Sequence, residues 1–221
     1  GMSKPGEINK LTKLIRPHIG IITNIGEAHI ENFKNLRGIA NAKSEMIDNL
    51  QEGGTLILNR DDQYFNFLEK KGKSKKLNIV TFGKTKKSDI YPLSISKKNK
   101  NKKIILKIYK QVLKLEIGDI NIYNVLASIA LLSELNLSLK SISQIYKDYE
   151  PTEGRGKIHK IKRYKKIFKL IDESYNANPL SVKNAINNFN AIKKEKFKKY
   201  LLLGDMLELG KKSEILHKNL S

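Results

Sequence analysis

The sequence has no cysteine and no tryptophan, and only 5 arginines beside 38 lysines. Without cysteine there is no disulfide framework, no thiolate zinc site and no cysteine nucleophile, and a reduced compartment, the cytoplasm, is expected. No apolar run approaches the roughly 18–20 residues that cross a bilayer, so no membrane span is expected. The opening Gly1-Met2-Ser3-Lys4-Pro5-Gly6 lacks the apolar stretch of a secretory signal. Acidic residues are also scarce, 22 against 43 basic ones, which leaves a net charge of +21. Such a charge raises the possibility of a nucleic-acid partner. The dearth of arginine, the side chain suited to bidentate phosphate and base-edge recognition, argues against one. The lysines are spread along the whole chain and are expected to form solvated faces, with no nucleic acid bound.

Hydrophobic residues make up 39% of the 221, enough for a real core, and the length suits one large domain or two smaller ones. Ile19–Ile25 is a short apolar run that predicts a buried strand, Leu36–Leu50 carries apolar residues at helical spacing, and Thr55–Asn59 predicts a second buried strand. A short helix over Gln63–Lys70 and a strand over Leu77–Phe82 follow. This alternation predicts right-handed crossovers and a mainly parallel sheet. Asp89–Ser96 and Lys103–Ile117 read as strands joined by a polar turn over Lys97–Lys102, which suits a hairpin. Helices are expected over Asn121–Leu135 and over Ser138–Tyr149. Glu150–Gly156, with one proline and two glycines, is the best domain boundary, giving domains at 1–150 and 151–221. Beyond it, a strand over Lys166–Ile171, a helix over Ser181–Ile192 and a strand over Tyr200–Leu203 predict the start of a second α/β unit.

Four stretches fall at predicted strand or helix ends, where open α/β sheets place ligands. Asn24–His29 puts His29 just past a buried strand, as a metal ligand, a base or an ordinary loop histidine. Ala42–Glu45 puts Lys43 on a small, apolar helix face, where a snorkelling lysine is the plain alternative. Asp172–Pro179 offers two acids, Tyr175, Asn176 and Asn178. Asp172 could meet ribose hydroxyls, and Asn178-Pro179 could simply start a helix. Gly204–Gly210 is a Gly-Asp strand end that could equally be a tight turn. Asn121 and Asn124 could cap a helix or bond a purine edge. Neither a G-x-x-x-x-G-K-[ST] loop nor a shorter Gly-Lys-Thr/Ser phosphate loop is expected, and the phosphate cradle of any ATP site is expected to lie outside this chain.

Together these motifs resemble the Mur ligase superfamily, and within it the branch that joins D-alanyl-D-alanine to UDP-N-acetylmuramoyl-tripeptide in peptidoglycan synthesis. The matching stretches are Gly1–Ile8 (GMSKPGEI), Ile22–His29 (ITNIGEAH), Ile39–Glu45 (IANAKSE), Asp172–Pro179 (DESYNANP, with Glu173 where Asp is commoner) and Gly204–Gly210 (GDMLELG), which Ser213 and His217 continue. The resemblance implies an α/β fold: the mainly parallel sheet of the superfamily's central ATP-binding domain, with a β-hairpin portion, then the start of a Rossmann-like C-terminal ligase domain. It implies ATP and Mg²⁺ as cofactors and an acyl-phosphate intermediate. It also implies an internal fragment, inactive alone, of an enzyme that is monomeric at full length. His29 would hold the second Mg²⁺, as would Lys43 once carbamylated. Asn59, Asn121 and Asn124 match amides near the nucleotide, although Ile120 stands where His often precedes Asn121. Arg155, Asp172, Tyr175 and Asn178 match residues that close over ATP, Arg155 toward phosphate and Asp172 toward ribose. The alternatives are another Mur-type or folylpolyglutamate-type ligase, or a basic nucleic-acid-binding module.

Overall fold

The computed structural model describes residues 2–98, 101–118, 120–139, 143–192 and 198–220. The chain divides into two compact units, one of residues 1–25 and 40–150, the other of residues 26–39 and 151–221.

The first unit is built on a six-stranded sheet in the order β1-β2-β3-β4-β5-β6. Its strands are β1 (Ile19–Ile22), β2 (Thr55–Asn59), β3 (Asn78–Phe82), β4 (Ile90–Lys98), β5 (Asn101–Ile108) and β6 (Gln111–Ile117). Pairing is parallel from β1 to β4 and antiparallel from β4 to β6. Strand β2 is buried along its whole length, as its unbroken apolar run requires of a central parallel strand. The pleat sends neighbouring residues to opposite faces. Gly20 lies against Met46 of helix α2 (Leu36–Asp48), and Leu56 and Ile79 crowd Gly72 of α3 (Phe65–Ser74). Ile57, Val80 and Phe82 instead join the core that includes Val125, Leu126 and Ile129 of α4 (Ile122–Glu134). Helices therefore cover both faces, and the polar ends of β1 and β2 emerge at one edge of that core.

Three features of this unit differ from the expectation. Helix α1 (Glu7–Ile15), not foreseen, precedes β1; its Leu11, Leu14 and Ile15 are exposed, so no buried face announces it. The stretch Lys103–Ile117 is two strands, because Tyr109 takes φ +50° and reverses the chain between Ile108 and its partner Gln111. Of the helix expected over Ser138–Tyr149, α5 (Ser143–Lys147) is described, while residues 140–142 lie outside the described set. So do residues 99 and 100, at the centre of the expected polar turn.

In the second unit, β7 (Lys157–Arg163) and β8 (Lys166–Asp172) form an antiparallel hairpin, followed by α6 (Pro179–Asn190) and α7 (Ser213–Lys218). Strand β7 was not expected, since its Lys-Ile-His-Lys-Ile-Lys-Arg run is mostly charged. The strand expected over Tyr200–Leu203 does not form. No described strand pairs with it, and a lone extended segment cannot satisfy its backbone groups within a sheet.

Candidate functional site

In the first unit the segment after β1 is held by groups from the end of β2. The Asn59 side-chain amide donates to the Thr23 carbonyl at 3.0 Å, and the Ile25 N–H donates to Asp62 Oδ2 at 2.7 Å. Asn59 Oδ1 also accepts the Asp61 N–H at 3.0 Å, so this amide first serves to tie two strand ends together. Lys43 reaches the same segment from α2, its Nζ donating to the Asn24 carbonyl at 2.8 Å. Lys43 is half-buried, and burial pushes its ammonium below the ordinary lysine range, partly offset by the Asp62 charge.

Asp61 is a functional candidate that the sequence reading passed over, taking Arg60-Asp61-Asp62 only as a strand break. Its carboxylate accepts the Lys84 N–H at 2.5 Å, the Thr85 N–H at 3.3 Å and the Tyr123 hydroxyl at 3.1 Å. Burial, with the Asp61 charge and hydrogen bond, pushes the Tyr123 hydroxyl up to about 12. The Lys84 ammonium lies 5.0 Å from the centre of the Tyr123 ring. These contacts correct one expectation. A short Gly-Lys-Thr triplet does occur, at Gly83-Lys84-Thr85. Two of its amides are taken by Asp61, and the loop runs into β4 rather than a helix. It therefore lacks the open amides and helix N-terminus of a phosphate cradle. Asn121 caps α4, its Oδ1 accepting the Tyr123 N–H at 2.9 Å, and Asn124 is exposed one residue further on. Hydrogen bonds thus link Asn59 to Asp61 and Asp61 to Tyr123, which lies between the two helix-start asparagines.

In the second unit the residues after β8 fold against the preceding linker. Asp172 accepts the Gly154 N–H at 3.1 Å and the Ser174 N–H at 3.0 Å, and the Tyr175 N–H donates to the Gly154 carbonyl at 3.1 Å. Gly154 has φ +72°, and an added Cβ would sit 2.7 Å from the Tyr175 Cβ, so glycine is required there. The Arg155 guanidinium stacks 4.2 Å from the Tyr175 ring centre. Hydrogen bonds from Ser174, and then Gly154, hold the Asp172 carboxyl below its ordinary range. Arg155, Asp172 and Tyr175 are therefore neighbours. Asn178 forms a capping box with Ser181 at the start of α6, with Pro179 beside it.

His29 is in the same unit, at φ +56°, with its Nδ1 against Glu208 Oε2. The Met206 N–H donates to His217 Nε2 at 2.9 Å, which pins the Gly204–Gly210 loop from α7. An apolar cavity of about 320 Å³ lies nearby, lined by Val182, Ile186, Leu201, Leu203, Met206 and His217 among others. Among the described residues no cluster of three or more His, Cys, Asp or Glu side chains forms a ready cation cage, and no helix is long and apolar enough to cross a membrane.

The sequence profile described as the Mur ligase middle domain matches residues 1–132. The UDP-N-acetylmuramoyl-tripeptide–D-alanyl-D-alanine ligase of Buchnera aphidicola subsp. Baizongia pistaciae is 32% identical over 223 residues, covering 99% of this chain and 46% of that protein. Among solved structures, MurF from Acinetobacter baumannii matches at a TM-score of 0.86 and 27% identity, over 100% of this chain and 47% of its own. MurF ligase from Thermotoga maritima, solved in complex with ADP, matches in fold at a TM-score of 0.83 and 23% identity, over 99% and 49%. The chain spans about half the length of the curated relatives it matches.

Proposed function

The chain belongs to the Mur ligase family, and from that premise we propose that it carries nucleotide- and cation-binding residues of an ATP-dependent ligase joining D-alanyl-D-alanine to UDP-N-acetylmuramoyl-tripeptide. The observation that carries this reading is the 32% identity, along 99% of the chain, to a ligase of that name. Residues 1–150 would be the later part of the central ATP-binding domain, and 151–221 the first part of the C-terminal ligase domain. The full-length enzyme would act in the cytoplasm, where ATP and a nucleotide-linked substrate are met, and would act as a monomer.

ATP, when bound, supplies the phosphoryl group that activates the tripeptide's terminal carboxylate as an acyl phosphate, while Mg²⁺ offsets the crowded negative charge. Two residues could each offer such a cation a ligand. An ammonium cannot bind a metal, but a lysine carbamate presents the oxygen ligands that Mg²⁺ favours. Only the neutral amine adds CO₂, and the burial of Lys43 favours that form. His29 offers a ring nitrogen, its Nδ1 lying against Glu208 Oε2. Asp172 is held ionised by two backbone N–H donors, and a carboxylate so held retains lone pairs for ribose hydroxyls. Arg155, backed by the Tyr175 ring, would meet phosphate. Asn59, Asn121 and Asn124 would frame the nucleotide from the first unit, and Asn178 would fix the loop that carries Asp172.

The natural gene product, given ATP, UDP-N-acetylmuramoyl-tripeptide and D-alanyl-D-alanine, is expected to release ADP and phosphate only when all three are present. ADP release that depends on a different amino-acid acceptor, or on none, contradicts the assignment.

A further inference from the structure

We propose that Asp61 is a positioning residue for the nucleotide: its carboxylate ties the start of α4, through Tyr123, to the end of β2 and the turn after β3, and so fixes where Asn121 and Asn124 stand. The proposal rests on the reading of those two asparagines as nucleotide contacts, and it gives a role to a carboxylate that lies outside the matching motifs.

Three elements meet on this one side chain. An ionised carboxylate only accepts hydrogen bonds, so it gathers the donors around it. Asp61 follows β2. It accepts the Lys84 and Thr85 N–H groups of the turn after β3, and the Tyr123 hydroxyl from the first turn of α4. Its own N–H donates to Asn59 Oδ1, and the Asn59 amide donates to the Thr23 carbonyl beyond β1. A short chain of hydrogen bonds thus crosses from the end of β1 to the start of α4.

The turn is shaped around the carboxylate. A Cβ added at Gly83 would stand 2.9 Å from Ser88 Oγ and 3.0 Å from Asp61 Oδ2, so a glycine lets the turn close over Asp61. The tether is not what keeps α4 folded, because Val125, Leu126, Ile129 and Ala130 are buried in the core. Asp61 itself is exposed, where such contacts add little to global stability. What the tether adds is a fixed first turn. Asn121 and Asn124 are both exposed there. Asn121 spends its Oδ1 on the cap and keeps its amide N–H donors, while Asn124 brings a donor and an acceptor. That pattern matches the edge of a nucleobase, and it serves recognition only when held to within about 0.5 Å.

The test is steady-state kinetics of the natural gene product, with ATP and D-alanyl-D-alanine varied in turn and urea unfolding measured alongside. Asp61→Ala is expected to raise the KM for ATP about 10-fold, the worth of one hydrogen bond to a charged group, and to leave the KM for D-alanyl-D-alanine unmoved. Tyr123→Phe keeps the ring and loses the donor, so it should give the same split. Combining it with Asp61→Ala should raise the KM for ATP no further, because both remove one link. Asp61→Asn keeps an acceptor oxygen for Tyr123 and should recover most of the affinity; it also guards against misfolding of the alanine variant. Asn124→Ala probes the underlying reading and should raise the KM for ATP by itself. A raised KM for ATP in Asn124→Ala beside an unchanged one in Asp61→Ala overturns the role of Asp61 and leaves the nucleotide reading standing. An unmoved KM for ATP in Asn124→Ala overturns the nucleotide reading, and the proposal with it. A rise in both KM values of Asp61→Ala with a lowered urea midpoint marks Asp61 as a structural clamp, which also overturns the proposal.

Discussion

The two units hold their candidate residues in place by different means. In the first, a sheet with helices on both faces buries Leu56, Ile57, Leu58 and Phe82 completely, and the polar groups hang on the ends of those rigid strands. In the second, helix α6 buries no residue, and Ile158, Ile167, Phe168 and Leu170 of the hairpin are exposed. Its order near the candidate residues comes from loop-to-loop bonds: Gly154 with Asp172 and Tyr175, Glu31 with Glu208, and His217 with Met206. The chemistry follows the difference. Lys43 is tuned by burial, whereas Asp172, itself only half-buried, is tuned by hydrogen bonds. A site on a core tolerates loop changes and fails with the core. A site made of loops should do the reverse.

The largest expected effect tests the core side of this contrast. Phe82→Ala should cost about 3–5 kcal/mol in urea unfolding of the first unit, whereas Leu202→Ala, at a residue 92% exposed, should stay within about 0.5 kcal/mol. Equal costs would erase the distinction. Gly154→Ala comes next, at about 1–2 kcal/mol from its positive φ alone, with a clash against Tyr175 added. It should be read as faster amide exchange at Gly156 and Tyr175, with the first unit unchanged. The two helix caps sharpen the comparison. Asn121→Ala and Asn178→Ala each remove a cap bond worth about 1 kcal/mol. Packing should keep α4 formed, while α6 should fray in amide exchange. The smallest effect is that of Asp172, whose partial exposure lets solvent screen it. Its folded pKa lies below the unfolded value, so its contribution is present above the ordinary carboxylate range, near about pH 4. That contribution is lost as pH falls through the depressed value. Protection of the Gly154 and Ser174 amides should fall in that acid window, and Asp172→Asn should remove the dependence.

Strands β1 to β3 and helices α2 and α4 were legible because buried parallel strands write themselves as short apolar runs and their helices as apolar residues at helical spacing. The same rule misread Tyr200–Leu203, which is apolar but unpaired, and passed over β7, which pairs although its run is mostly charged. The Tyr109 turn carries no glycine or asparagine to announce it. Within the candidate site, Lys43, Asp172 and Asn178 stood out by residue type and position, while the roles proposed for them came from the resemblance. The links Asp61–Tyr123 and His29–Glu208 were not, because they join residues far apart in the chain whose approach only the fold determines.

The most direct measurement of the central claim is ¹³C NMR of the chain equilibrated with ¹³C-bicarbonate, with and without Mg²⁺. A carbamate carbonyl signal that strengthens with Mg²⁺ and vanishes in Lys43→Ala is the predicted result. No such signal, or one that survives in Lys43→Ala, would contradict the assignment of Lys43 as the cation-binding group of a ligase site.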